Sequence, residues 1–276
     1  TSYRAIPSIN KILSSYQTIK YYFPVVNLLD HELKLTDTIN FSDKKINFNN
    51  KLSINNLSFH YPGNFHKILD NVNLQIEKGS IVGITGKTGS GKSTLIDVIG
   101  GLIQHQSGQL IVDDVVIKDP DKIRSWQNNI GYVSQNTYLM DDTIKNNIAF
   151  GYNDCEINES LLRKVIQTSE LEQFIDKLPN KLDTVVGERG VGLSGGQIQR
   201  IGIARALYRL PDFLILDEFT SALDKTTENK VVQNILKFKK NQTILLITHN
   251  LDLLKNCNYI YSIENKKINI IDLKKL

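Results

Sequence analysis

Cysteine, methionine and tryptophan are almost missing from this 276-residue chain, with two, one and one copies respectively. Cys155 and Cys257 stand far apart and match no metal-ligand spacing, which excludes a zinc framework and a disulfide-built scaffold. Each is expected as a free thiol in a reducing compartment, a single bridge being the most that two can form. No uninterrupted apolar run approaches the ~20 residues that cross a bilayer, and no signal peptide opens the chain. A clustered basic surface is lacking too. The net charge is only +4, and the lysine pairs at 44–45, 239–240, 266–267 and 274–275 are scattered, so they read as solvated surface and no nucleic-acid partner is expected. The sole methionine is Met140 and the first residue is Thr1, which fits either loss of an initiator or origin in a longer polypeptide; residues 1–40 favour the second.

What is present is enough apolar content, 41%, for one large core with a satellite subdomain. Ile9, Ile12, Leu13, Tyr16, Ile19 and Phe23 fall at the spacing of one helix face, and Pro24 is expected to break or kink that helix. The helix packs on its own domain or ends a preceding transmembrane domain. A polar stretch at 37–51 reads as a linker, so residues 1–50 are assigned to extension and linker and 51–276 to the main domain. Strands are predicted at 52–60, 72–77, 81–84, 130–133, 213–216, 244–247 and 259–263, and helices at 94–100, 161–166, 197–208 and 227–238. Alternation of this kind implies an α/β fold with a mostly parallel sheet covered on both faces, and the closely spaced early strands imply a small antiparallel sheet beside it.

Directly after the third strand stand Gly86, Lys87, Thr88, Gly89, Ser90, Gly91, Lys92 and Ser93, then a helical run from Thr94, which is the Walker A pattern in its strand, loop, helix setting. Glycines let backbone amides turn inward around phosphates, and the new helix aims its positive end at them. Lys92 should reach the β- and γ-phosphates of ATP, and Ser93 should ligate Mg²⁺. A Walker B partner follows at Leu214-Ile215-Leu216-Asp217-Glu218, a buried strand that delivers two acids at its carboxyl end. Asp217 is assigned to the Mg²⁺ shell and Glu218 to the attacking water.

Many P-loop enzymes share those two elements; Leu193-Ser194-Gly195-Gly196-Gln197, opening a helix, discriminates among them. Small residues and free amides at a helix N-terminus make a second anion site, and a chance match to this pentapeptide arises in only about a few chains in ten thousand. The segment resembles the signature of the ATP-binding-cassette family. That resemblance implies a P-loop, RecA-like core with an antiparallel β subdomain and an α-helical signature subdomain. By the same resemblance Tyr61 stacks on adenine, Gln135 is the Q-loop glutamine touching Mg²⁺, Ser221-Ala222-Leu223-Asp224 is the D-loop and His249 is the switch histidine. Two cassettes are then expected to pack head to tail, Ser194 and Gly196 of one meeting the γ-phosphate held by Lys92 of the other. Phe219 stands where many relatives carry Ala and leaves the acids in place.

The stretches 136–151 and 186–190 resemble exporter-type cassettes, the second being the X-loop that meets coupling helices. The resemblance extends to bacterial flippases for lipid-linked oligosaccharides. It implies a transmembrane domain fused upstream, ATP hydrolysis coupled to translocation, and a place at the cytoplasmic face of the inner membrane, the cassette being soluble when isolated.

Overall fold

Period-two alternation of large apolar residues organises the interior. In the computed structural model, which describes residues 6–35, 45–63, 66–187, 192–238 and 242–271, strands β1 (Lys51–Phe59), β2 (Leu69–Glu77), β3 (Ile81–Thr85), β4 (Ser107–Val112), β5 (Val115–Val116), β6 (Ile130–Val133), β7 (Asp142–Thr143), β8 (Val185–Val186), β9 (Phe213–Asp217), β10 (Thr243–Ile247), β11 (Tyr259–Glu264) and β12 (Lys267–Ile271) form three sheets. The largest has the order β12-β11-β3-β10-β9-β6 and is parallel except for β12. A four-stranded antiparallel sheet, β2-β1-β4-β5, and the pair β7-β8 complete the set.

Both central strands, β9 and β10, are buried along their whole length, as covered parallel strands must be. Because successive side chains point to opposite faces, Leu214, Leu216, Ile244 and Leu246 join a core shared with the helices Gly195–Tyr208 and Lys225–Phe238. Their neighbours Phe213, Ile215, Leu245 and Ile247 join a second core, shared with the helix Lys92–Ile99 and the antiparallel sheet. Mostly parallel and antiparallel sheets thus occur as the alternation implied.

The structure corrects several local expectations. The N-terminal helix runs unbroken from Ile6 to Leu35 with Pro24 inside it. Its apolar side chains are not confined to one stripe, since Tyr21, Tyr22, Val25, Val26, Leu28 and Leu29 are exposed along with Ile9, Ile12 and Tyr16. This helix belongs to a first unit, and the described residues from Lys45 onward belong to a second. Phe48, placed in the linker by composition, is 2% exposed and packs edge-on against Trp126 and Phe213. The stretch around it is stitched down by Asn129 Nδ2 donating to Ile46 O at 2.8 Å, and by the Asp113 carboxylate accepting from the amides of Asn49, Asn50 and Lys51 at 2.7, 2.9 and 2.8 Å. Partial burial would raise the Asp113 pKa, but those three amides outweigh it and hold the carboxyl below its ordinary value. Strands β4, β5, β7, β8 and β12, the helix Pro120–Gln127 and the short helices Ile144–Ile148, Glu172–Ile175 and Leu251–Leu254 escaped the sequence reading.

Truncating Phe48 to Ala should cost about 3–5 kcal/mol, the range for a buried aromatic. Urea unfolding of the wild-type and Phe48→Ala chains measures this; a loss below about 1 kcal/mol would return residues 45–50 to linker status.

Candidate functional site

Four adjacent parallel strands, β3, β10, β9 and β6, open at their carboxyl ends onto one cleft of about 550 Å³. Each contributes one loop. After β3, Gly86 and Gly91 adopt φ values of 151° and 105°, and a Cβ on Gly86 would lie 2.7 Å from Ile263 O, so only glycine lets the chain curl here. The helix Lys92–Ile99 begins at once with no side-chain cap, leaving its first amides for an anion. Lys92 is buried, and its Nζ donates to Gly86 O at 2.7 Å and Lys87 O at 3.1 Å. Ser90 Oγ is buried with no hydrogen-bond partner, an orphan that a phosphate oxygen would satisfy.

At the end of β9, Asp217 is 8% exposed. Burial first, and the Glu218 charge second, push its carboxyl above the ordinary carboxylate range. The Tyr132 hydroxyl lies 3.5 Å from Asp217 Oδ2, and burial together with that neighbouring charge raises the phenol. Glu218 sits at φ +43°, an uncommon conformation for a side chain of this size, with its N–H donated to Ile247 O at 3.0 Å. Its carboxylate accepts from Gln135 Nε2 at 2.7 Å through one oxygen, and His249 Nε2 stands 3.6 Å from the other. The His249 segment is steadied by Asn250 Nδ2 donating to the buried Glu228 at 3.1 Å.

The cleft therefore brings together Thr88, Gly89, Gly91, Lys92, Ser93, Thr94, Gln135, Asp217, Glu218 and His249. Tyr61 approaches through its hydroxyl, 3.4 Å from Thr94 Oγ1. Ser194, Gly195, Gly196 and Gln197 do not line it. They form the tip of the helix Gly195–Tyr208, where Ser194 and Gln197 cap each other: Ser194 N donates to Gln197 Oε1 at 2.8 Å, and Gln197 N to Ser194 Oγ at 3.4 Å. The Gln197 amide is thus engaged in the cap, whereas the Ser194 hydroxyl, used there as an acceptor, keeps its proton to donate. Of the X-loop, residues 188–190 lie outside the described residues; its start, Val186, pairs with Asp142 across β7 and β8. That pairing joins the two stretches that look exporter-like.

Sequence reasoning missed Tyr132 and Gln199. Tyr132 carried a signal, being a hydroxyl-bearing residue in an otherwise apolar strand. For a metal, the oxygens of Ser93, Gln135 and Asp217 form a hard donor set with one carboxylate, which fits Mg²⁺ held jointly with phosphate and water. Among the described residues no group of three or more His, Cys, Asp or Glu side chains could cage an ion unaided.

Glycine cradle, buried lysine, acidic strand end and second anion-ready helix tip together define a P-loop α/β domain that binds nucleoside triphosphates. A family model described as ABC transporter matches residues 69–221, over half of the chain, and the chain belongs to that family as its ATPase domain. The ATP-dependent lipid A-core flippase of Pasteurella multocida (strain Pm70) is 39% identical over 217 residues, which is 79% of this chain and 37% of the relative. The alpha-hemolysin translocation ATP-binding protein HlyB of Escherichia coli O157:H7 is 38% identical over 216 residues, 78% of this chain and 30% of the relative. A solved bacterial Atm1-family ABC exporter with ATP bound matches at a TM-score of 0.81 and 26% identity, over 96% of this chain and 47% of that one. The chain spans less than half the length of each.

The raised Asp217 pKa gives a signed prediction. The folded state binds this proton more tightly than the unfolded chain, so the ionised carboxylate costs stability. That cost is absent below the ordinary pKa of 3.8, grows as pH rises through the raised value, and is constant above it. Asp217→Asn should therefore raise the thermal midpoint near neutrality and do nothing at strongly acidic pH. Calorimetry across pH checks this, and a lowered midpoint at neutrality would contradict it.

Proposed function

We propose that this chain is the motor domain of an exporter or flippase, hydrolysing ATP in a head-to-tail pair of identical cassettes and driving a fused transmembrane domain at the cytoplasmic face of the inner membrane. The observation that carries it is the Glu218 carboxylate set between the Gln135 amide and the His249 imidazole, in the same cleft as Lys92 and Asp217.

In this reading the 86–93 amides, the Ser90 hydroxyl and Lys92 bind the phosphates, and Tyr61 lies under the adenine. Ser93, Gln135 and Asp217 would hold Mg²⁺, which would supply neutralisation of phosphate charge. Glu218 is the general base: Gln135 fixes one carboxylate oxygen, and the carboxylate takes the proton of the attacking water as the water's oxygen bonds to the γ-phosphorus and the bond from that phosphorus to the β–γ bridging oxygen breaks, ADP leaving with the electron pair. His249 donates to the γ-phosphate and so holds it in line with that water. Ser194 and Gly196 reach across to the γ-phosphate bound by the partner subunit, so ATP joins the pair and its hydrolysis releases it.

A second cavity, of about 420 Å³, adjoins the Gln135 loop and is walled by Tyr132, Tyr138, Phe150 and Arg205. Its exposed rings, Tyr138 at 71% and Phe150 at 45%, suit the seat of the transmembrane domain. Relatives named as lipid A-core flippases support a lipid-linked glycan as cargo.

Glu218→Gln should lower kcat by about 10²–10⁴-fold while ATP binding persists and a stable ATP-dependent dimer accumulates, read by steady-state ATPase assay and size-exclusion chromatography with light scattering. Turnover at the wild-type rate would remove Glu218 from the role of base.

A further inference from the structure

Gln199 lies one turn inside the helix Gly195–Tyr208, is 3% exposed, and spends its whole amide on the segment that follows β9. Its Nε2 donates to Glu218 O at 3.3 Å and to Ser221 Oγ at 3.1 Å, while its Oε1 accepts from Ala222 N at 3.1 Å. Both amide hydrogens are used. The orientation is fixed as well, because the Ala222 N–H can only donate and so must face the oxygen. Glu218 is thereby gripped on both sides of its peptide: its N–H goes to β10 at Ile247 O and its carbonyl to the helix through Gln199.

The helix tip is fastened to the same segment by close approach. A Cβ on Gly196 would come within 2.9 Å of Ala222 O, and one on Gly195 within 3.3 Å of Ala222 Cβ, so the two glycines let the helix end rest directly on Ala222. Ser194, Gln199 and the 218–222 segment are therefore parts of one hydrogen-bonded body, with Ser194 exposed at one end and the Glu218 carboxylate in the cleft at the other.

We propose that Gln199 is a positioning residue that ties the Ser194 helix tip to the Glu218 peptide, so that engagement of the tip by a partner subunit's ATP sets the base in its own subunit's cleft. This rests on the head-to-tail reading above and adds to it a physical link by which one site reports on the other. Glu218 occupies a strained backbone conformation, which a neighbouring hydrogen bond can tip between a competent and an idle setting. Gln199 touches neither nucleotide nor water in this scheme; it acts through Glu218 alone.

The test is the ATP dependence of hydrolysis by the whole chain in wild-type, Gln199→Leu and Gln199→Glu forms, with a fluorescent ATP analogue for binding and light scattering for the dimer. Gln199→Leu should lower kcat about tenfold with KM for ATP within about twofold, and bring the Hill coefficient towards one while ATP binding and the dimer remain. A merely structural role would instead lower thermal midpoint, ATP binding and kcat together and leave cooperativity as in the wild type; that outcome overturns the proposal. Gln199→Glu matches the original in volume and keeps an acceptor for Ala222 N and for the Ser221 hydroxyl, which can turn round to donate, but it sets a buried carboxyl oxygen against Glu218 O in place of the donor. It should show the same fall in cooperativity with a kcat loss at least as large, and it carries the test if the leucine variant does not fold. A wild-type chain that forms no ATP-dependent dimer would sink the head-to-tail reading and this proposal with it. A wild-type dimer alongside variants with unaltered kcat and cooperativity would sink the proposal alone.

Discussion

Two neighbouring carboxylates at the end of a buried strand repel each other and resist dehydration, and the architecture around Asp217 and Glu218 answers to that constraint. Strand β9 is fixed on both sides by parallel partners, so the acids cannot withdraw into solvent by slipping register. Asp217 keeps its carboxyl in a buried setting with the Tyr132 hydroxyl beside one oxygen. Glu218 is turned aside by its positive φ, which separates its carboxylate from the strand axis and hands it to Gln135 and His249. Opposite them the Lys92 ammonium is held by backbone carbonyls, so cation and anions face one another across the cleft without collapsing onto a direct pair.

Most of the site was legible in the sequence because it is built from backbone geometry and strand ends, which leave local marks. Gly86, Gly89 and Gly91 mark a chain that must curl; Leu214–Leu216 followed by Asp217 marks a buried strand reaching a cleft. The order of strands was not written locally. That β10 lies between β3 and β9, bringing His249 between the phosphate loop and the acids, is a property of the whole sheet.

What escaped the sequence had specific physical causes. Phe48 sits in an Asn- and Lys-rich stretch whose average polarity hid one core aromatic. Strand β4 begins Ser-Gly-Gln and shows no alternation until Leu110, and β5 has only two residues, so neither produces a period. Pro24 marks a break or a kink because its missing N–H and its ring oppose an interior turn, and the helix continues through it from Ile6 to Leu35, so a break is excluded. Gln199 gave no signal at all, since a glutamine on a helix reads as solvated until its three partners, all on another segment, are known.

The parallel sheet also divides the interior into two chambers that share strands but no side chains. Leu245 and Leu246 are adjacent in the chain, yet one is packed with Leu95 and Ile99 and the other with Ile235 and Leu253. Sequence neighbours along β9 and β10 should accordingly drift independently during evolution, each co-varying with residues far away in the chain. The two chambers meet only through the backbone of the shared strands, so a change in one reaches the other when it shifts β9 or β10 and not by direct side-chain contact.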